Sequence, residues 1–302
     1  MQTLTVTAEK EATALVQYFM QKGGPEPQEY ATMNELIDAL TDDPVLRAAL
    51  EASHPFSEGF LQHTMQGHCM RWPYGYAGDF SIIDKIYTYH LSDHPLYRKW
   101  DEFLQQHPAT QAVRNRKEYF KQTILSRLRT TNQQPLNLLD LASGPARDLL
   151  EVYNRIDPAQ LQTTCVDMDA NAIQYAGRLT ADYAEHITFV EKNIFRYQPA
   201  QPYDIIWSAG LFDYFDDAVF ARILNRFRGW LKPGGEIIIG NFSLQNPTRN
   251  YMETLNNWFL HHRSEEQLMA LAQQAGFQPR QVFIGREPEG INLFMHMRAG
   301  NQ

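Results

Sequence analysis

The chain has 302 residues, 43% of them hydrophobic, and a net charge of -8. That is enough apolar material for one large core and a smaller second one, while the negative balance works against long-range attraction to DNA, RNA or acidic lipid. No apolar run approaches the ~20 residues that span a bilayer, and Lys10 and Glu11 interrupt the stretch a signal peptide would need, so a cytoplasmic protein with a small-molecule partner is expected.

The first part of the chain reads as helical. Thr32 and Glu35 have the spacing of a capping box, and Val113, Phe120, Ile124 and Leu128 fall on one face of a long helix. The basic cluster Arg114, Arg116 and Lys117 on that helix reads as a solvated face. Between them lies PYGYAGD, residues 73 to 79, with two tyrosines, two glycines and an acid in one short loop. Glycines let a backbone bend closely over a ligand, Tyr74 and Tyr76 offer flat faces and hydroxyls, and Asp79 can cap the helix that follows. An ordinary tight turn with packed aromatics is the other reading of this loop. Cys69 and Cys165 are too few and too far apart for a disulfide framework or a structural zinc site, and are expected to be buried as small apolar residues.

The polar segment TTNQQP, residues 130 to 135, reads as a linker and divides the chain into a helical part, 1–134, and a second part, 135–302. In the second part short β-rich runs alternate with helical ones. The runs are 136–141, 163–167, 187–190, 204–208, 236–242, 280–284 and 291–297. Strands separated by amphipathic helices call for a doubly wound α/β fold, a mostly parallel sheet covered on both faces. Asp216 is placed to cap one of these helices, while Ser264 and Gln267 form a capping box before Gly276 stops another. The last run has no long helix before it, which predicts a hairpin and an antiparallel final strand.

In such a sheet a ligand sits beyond the carboxyl ends of the strands, beside the first one. There the sequence reads LLDLASGPARDLL, residues 138 to 150. A dinucleotide turn uses G-x-G-x-x-G to close backbone amides on a pyrophosphate. Here those positions hold Ala142, Gly144 and Arg147, and Pro145 removes one N–H. The turn suits a ligand without phosphates. Asp167, 27 residues after Asp140 and at the end of the second strand, can accept hydrogen bonds from both hydroxyls of a ribose. Asn193, after the third strand, is placed to meet an adenine edge, with Ile194 and Met168 as apolar faces. Asp169 reads instead as the cap of the next helix.

These residues, with the segments YDIIWSAGLFDYF (203 to 215) and LKPGGEIII (231 to 239), resemble a class I S-adenosylmethionine-dependent methyltransferase. The resemblance implies a seven-stranded Rossmann-like sheet with S-adenosyl-L-methionine as cofactor and S-adenosyl-L-homocysteine as product. It further implies a cofactor site made by Asp140, Ala142, Ser143, Gly144, Asp167, Met168, Asn193, Ile194, Ser208 and Ala209. RWPYGYAGDF (71 to 80) and residues 241 to 268 are similar to bacterial enzymes that make 3-hydroxypalmitic acid methyl ester. On that likeness the helical part is a lid, with Tyr74, Tyr76, Asp79 and Arg249 on the acceptor side. The expected reaction is O-methylation of a small carboxylate or hydroxyl compound, with Asp213, Tyr214 and Arg263 facing the chemistry. His261 and His262 are adjacent, so at most one points inward as a base. No metal is expected. A nicotinamide-dependent oxidoreductase and a catalytically silent cofactor-binding module remain the alternatives.

Overall fold

The computed structural model describes residues 2–131 and 135–300, with side chains from residue 10 onward; the centre of the expected linker, 132–134, lies outside the described residues. The helices are α1 (Gln2–Lys22), α2 (Tyr30–Asp42), α3 (Pro44–Ala52), α4 (Glu58–His63), α5 (Met65–Arg71), α6 (Phe80–Tyr87), α7 (Pro95–Gln106), α8 (Pro108–Thr130), α9 (Arg147–Tyr153), α10 (Ala170–Leu179), α11 (Asp217–Arg228), α12 (Arg249–Leu255) and α13 (Glu265–Gln274). None of them is long and apolar enough to cross a membrane. The chain divides into two compact units, 1–111 with 247–259 and 112–246 with 260–302. Most of α8 therefore belongs to the second unit, and the α12 segment belongs to the first.

The helical unit is built on apolar stripes at helical spacing. In α2, Met33, Leu36, Ile37 and Leu40 are all buried and join Val16, Phe19, Phe60, Trp100, Phe103 and Tyr251 in one cluster. Its helix starts are set by side chains that accept orphan backbone N–H groups: Asp43 for α3, Ser57 for α4, Thr64 for α5 and Asp79 for α6. The Thr32–Glu35 capping box does not form. The helix begins at Tyr30, so Thr32 is already inside its first turn, and the box sits one turn earlier at Glu26 and Glu29, around a turn opened by Pro27.

The second unit carries β1 (Leu136–Leu141), β2 (Leu161–Asp167), β3 (Ile187–Glu191), β4 (Tyr203–Ser208), β5 (Leu231–Phe242), β6 (Val282–Arg286) and β7 (Asn292–Arg298). Their order is β3-β2-β1-β4-β5-β7-β6. The strands from β3 to β5 pair in parallel, and β7 runs antiparallel between β5 and β6, the expected hairpin. β5 starts earlier than its apolar run because Leu231 pairs with Tyr203 before Lys232–Gly235 bulges out and pairing resumes at Glu236. A Cβ on Gly235 would lie 3.0 Å from two carbonyl oxygens, so this position needs glycine. β6 is shifted by two residues because Pro279–Gln281 form a 3-10 turn.

One face of the sheet packs on α8. Val113, Phe120, Ile124 and Leu128 are buried as expected. Phe120 meets Trp207 edge-on at 5.0 Å, and Tyr119 stacks on Phe294 at 3.9 Å. Beneath them Glu236 is held by Arg127, by His296 at 3.1 Å and by Arg298 at 3.3 Å. Burial alone would raise the Glu236 pKa, but His296, Arg127 and Arg298 override it and bring it down to about 2. A folded pKa depressed below the ordinary 4.5 contributes stability above that value, lost as pH falls toward about 2. Glu236→Gln is therefore expected to lower stability by about 1–3 kcal/mol at neutral pH. The gap to wild type should close as the pH of a thermal-melting series is taken down through that window. A gap that persists in acid would show that packing, not charge, holds this corner.

Candidate functional site

β1 ends at Leu141, and the chain turns through Ala142, Ser143, Gly144, Pro145 and Ala146 before α9 starts at Arg147. Ala142, Gly144 and Ala146 all have φ near +54 to +55°. For the two alanines this left-handed backbone is strained by roughly 1–2 kcal/mol each, and such strain gathers where a turn is shaped for a ligand. The turn is fastened to β2: Ala142 N donates to Val166 O at 2.8 Å and Gly144 N to Asp167 Oδ2 at 3.0 Å. Pro145 falls two residues ahead of the helix, and Ala146 occupies the cap. A Cβ at Gly144 would meet nothing within 4 Å, so the turn faces open space there. The Ser143 hydroxyl beside it is buried with no hydrogen-bond partner.

Asp167 closes the site from the second strand. Its Oδ1 accepts from Asp169 N at 3.0 Å and its Oδ2 from Gly144 N. A carboxylate has about four acceptor positions, so it retains capacity for a pair of hydroxyls. Burial pushes its pKa up, against those backbone N–H groups. Lys192 N donates to Asp167 O at 2.7 Å, which brings the Asn193 segment alongside. Asn193 Oδ1 accepts from Phe195 N at 2.9 Å, which fixes the side chain in a local turn. Ile194 packs into the core cluster of the sheet, while Met168 stands 70% exposed. Asp169 caps α10, which begins at Ala170. Ser208 is buried, its hydroxyl donating to Leu141 O at 2.9 Å.

Four aspartates are buried in this unit: Asp140, Asp148, Asp167 and Asp213. Burial pushes Asp140 well above its usual range, and Asp148 and Asp167 add to the rise. Asp148 and Asp213 are each raised by burial to about 6. Arg116 is the cation common to Asp140, Asp148 and Asp213 that opposes the rise, joined at Asp213 by Arg263. The Arg116 guanidinium is buried and donates to the carbonyl of Ala209 after β4. The solvated-face reading is therefore corrected at this residue. A sequence signal existed, since Arg116 lies on the same stripe as Val113 and Phe120.

The residues expected to face the chemistry fall into different settings. Asp213 Oδ1 accepts from Phe242 N at 2.6 Å, and Tyr214 next to it is 42% exposed. Arg263 is a structural brace: it donates to Asn241 Oδ1 at 2.8 Å, to Phe212 O and to Phe215 O, pairs with Asp217 at 2.9 Å, and covers the ring of Phe220. His262 Nε2 faces Asn246 Nδ2 at 3.1 Å and its Nδ1 faces Leu260 O at 3.2 Å, so both ring nitrogens are engaged. Arg249 belongs to the helical unit and pairs with Glu253 on the surface at 2.6 Å.

In the helical unit, the PYGYAGD loop leaves Tyr74 and Tyr76 39% and 37% exposed. Gly78, at φ +70°, backs onto the Trp258 ring, which leaves no room for a Cβ. Asp79 caps α6 as expected, and its other oxygen holds His68 Nε2 at 2.7 Å. That pairing joins residues from different elements, with no spacing to announce it. Among the described residues no group of three or more His, Cys, Asp or Glu is placed to hold a metal.

Residues 138–235 match the family model described as a methyltransferase domain. Among solved structures, the chain is similar over 98% of its length to 97% of a "possible exported protein" from Bordetella parapertussis, with 18% identity and a TM-score of 0.67. It is also similar to the CurJ carbon methyltransferase, with 12% identity, coverage of 99% of this chain and 93% of that one, and a TM-score of 0.55. Magnesium protoporphyrin IX methyltransferase from Synechocystis, with bound S-adenosylhomocysteine, is similar over 64% of this chain and 87% of its own, with 8% identity and a TM-score of 0.51. No curated protein matches the sequence. At these identities the structural likenesses speak for the fold, and the family match speaks for the activity. The sheet unit of this chain carries a methyltransferase domain on a seven-stranded sheet of the class I order.

Proposed function

We infer that the protein is an S-adenosylmethionine-dependent O-methyltransferase of a small carboxylic acid or hydroxyl compound, fatty and hydroxy-fatty acids included. The observation that carries the cofactor reading is the β1 turn. An open cradle at Gly144 and the buried hydroxyl of Ser143 lie beside Asp167, which keeps acceptor capacity for a ribose. Arg116 is the cation suited to the carboxylate of the amino-acid end, and Ala209 O and Asp140 are acceptors suited to its amine. Asn193 and the exposed Met168 are assigned to the adenine. The bound cofactor would supply a methyl group on a positively charged sulfur, open to attack by a nucleophile.

The protein's share of such a displacement is to align the acceptor and exclude water. A carboxylate needs no base; a hydroxyl needs one. Asp213, raised to about 6, is the group assigned to that proton, with Tyr214 beside it. Arg263 is set aside from this role because its hydrogen bonds are spent on the fold. The PYGYAGD loop, with Tyr74 and Tyr76, is the proposed acceptor-binding element, supported by the resemblance of residues 71–80 and 241–268 to fatty-acid ester-forming enzymes. Two buried free thiols, Cys69 and Cys165, accord with a reducing, cytoplasmic setting.

The test is incubation with cofactor carrying an isotopically labelled methyl group and a cell metabolite extract, read by mass spectrometry. A labelled product that mild base hydrolyses is an ester, and one that resists is an ether. Cofactor binding without any labelled product would favour the silent module.

A further inference from the structure

Among the described residues, three buried side-chain polar atoms have no hydrogen-bond partner, and they belong to two residues, Ser143 and Asn292. Ser143 lies in the turn already assigned to the cofactor. Asn292 opens β7, is 1% exposed, and leaves both its amide oxygen and its amide nitrogen unpaired. A native fold seldom leaves such a group without a partner.

The position of Asn292 follows from strand register. It lies opposite Phe242 at the carboxyl end of β5, two residues beyond the Phe294–Gly240 pair. Side chains alternate along a strand, and Phe294 stacks on Tyr119 of α8, so Asn292 lies on the α8 face of the sheet. This is the edge where a doubly wound sheet takes its ligands. Glu287, whose carboxylate accepts from the Asn292 backbone, is already spent. Its Oε1 accepts from the backbone N–H groups of Ile291 and Asn292, and its Oε2 from Glu289 N and from the side chain of Asn115 on α8. Four donors fill the acceptor positions of a carboxylate. The Asn292 amide is thus left with two N–H donors and a carbonyl acceptor in a buried place at the ligand edge.

We propose that the Asn292 carboxamide binds the polar end of the methyl acceptor, recognising an oxygen function that both donates and accepts a hydrogen bond, as an alcohol does. A neutral amide complements a neutral group of this kind, and a cationic amine would leave its N–H groups unpaired. The inference rests on the transfer reading above and adds a specificity residue to it.

Asn292→Leu tests it, since leucine is close in size and forms no hydrogen bond. Three measurements are made beside wild type: melting temperature, calorimetric affinity for S-adenosylhomocysteine, and labelled-methyl transfer to the product that wild type forms in a metabolite extract, at several extract dilutions. The expected result is an unchanged or higher melting temperature, unchanged S-adenosylhomocysteine affinity, and transfer lowered roughly tenfold or more in dilute extract but recovering in concentrated extract. A lowered melting temperature, weakened S-adenosylhomocysteine binding or unchanged transfer in dilute extract would overturn it. Asn292→Val, smaller and suited to a strand, takes over if the leucine variant does not fold. Absence of any product with wild type is failure of the transfer reading and removes the proposal with it; equal product from wild type and variant is failure of Asn292 alone.

Discussion

Replacing Arg116 with methionine is expected to destabilise the protein by about 3–5 kcal/mol, the scale of removing one partner from a buried charge network. Methionine keeps the apolar stem in place, so the loss reports the guanidinium. Asp148 and Asp213 have folded pKa values of about 6 with Arg116 present, and without it they rise further. A carboxyl group whose folded pKa is raised contributes stability that is full below its ordinary 3.8 and is lost as pH rises through the folded value. The variant should therefore be worst at neutral pH and recover toward wild type as pH falls below about 6. Thermal melting at several pH values checks this. A solvated Arg116 would change stability by no more than about 0.5 kcal/mol, with no dependence on pH.

The second large effect is on the cofactor. Asp167→Ala should weaken S-adenosylhomocysteine binding by about 1.5–3 kcal/mol, the scale of hydrogen bonds to a charged group. The fold should survive, because loss of a buried carboxylate offsets the two backbone N–H groups, of Gly144 and Asp169, that lose their acceptor. Asp167→Asn, which retains one acceptor oxygen, should fall between. The folded pKa of Asp167 is raised, chiefly by burial, and hydrogen bonds from a ribose favour its charged form. Binding should thus weaken as pH is lowered through the carboxylate range. Wild-type affinity in the alanine variant, measured by calorimetry, would remove Asp167 from the site.

The parts of the fold visible in the sequence were those where one local signal met no tertiary competitor. The run LNLLDL is β1 residue for residue, and Asp216 and Ser264 cap the helices they were expected to cap. The antiparallel β7 followed from a missing crossover helix. Other features depended on partners distant in sequence. The α12 segment gives no compositional sign that it belongs with α2 in the helical unit. Arg263 and Arg116 carry the same charge, yet the fold makes one a brace and places the other beside three carboxylates at the ligand edge. The stripe Val113, Phe120, Ile124 and Leu128 was legible, but its consequence was larger than helix packing. Phe120, Ile124 and Leu128 belong to the core cluster of the sheet, so a chain trimmed to begin at Pro135 would expose that core. Any test of the helical unit by deletion should cut nearer residue 111 and retain α8 on the sheet.

Whether the β1 turn and Asp167 form a site for a phosphate-free adenosine cofactor is decided by titrating the wild-type protein with S-adenosylhomocysteine and, in parallel, with NADH. The expected result is saturable binding of S-adenosylhomocysteine at one site per chain and no binding of NADH. Binding of NADH with none of S-adenosylhomocysteine would contradict it.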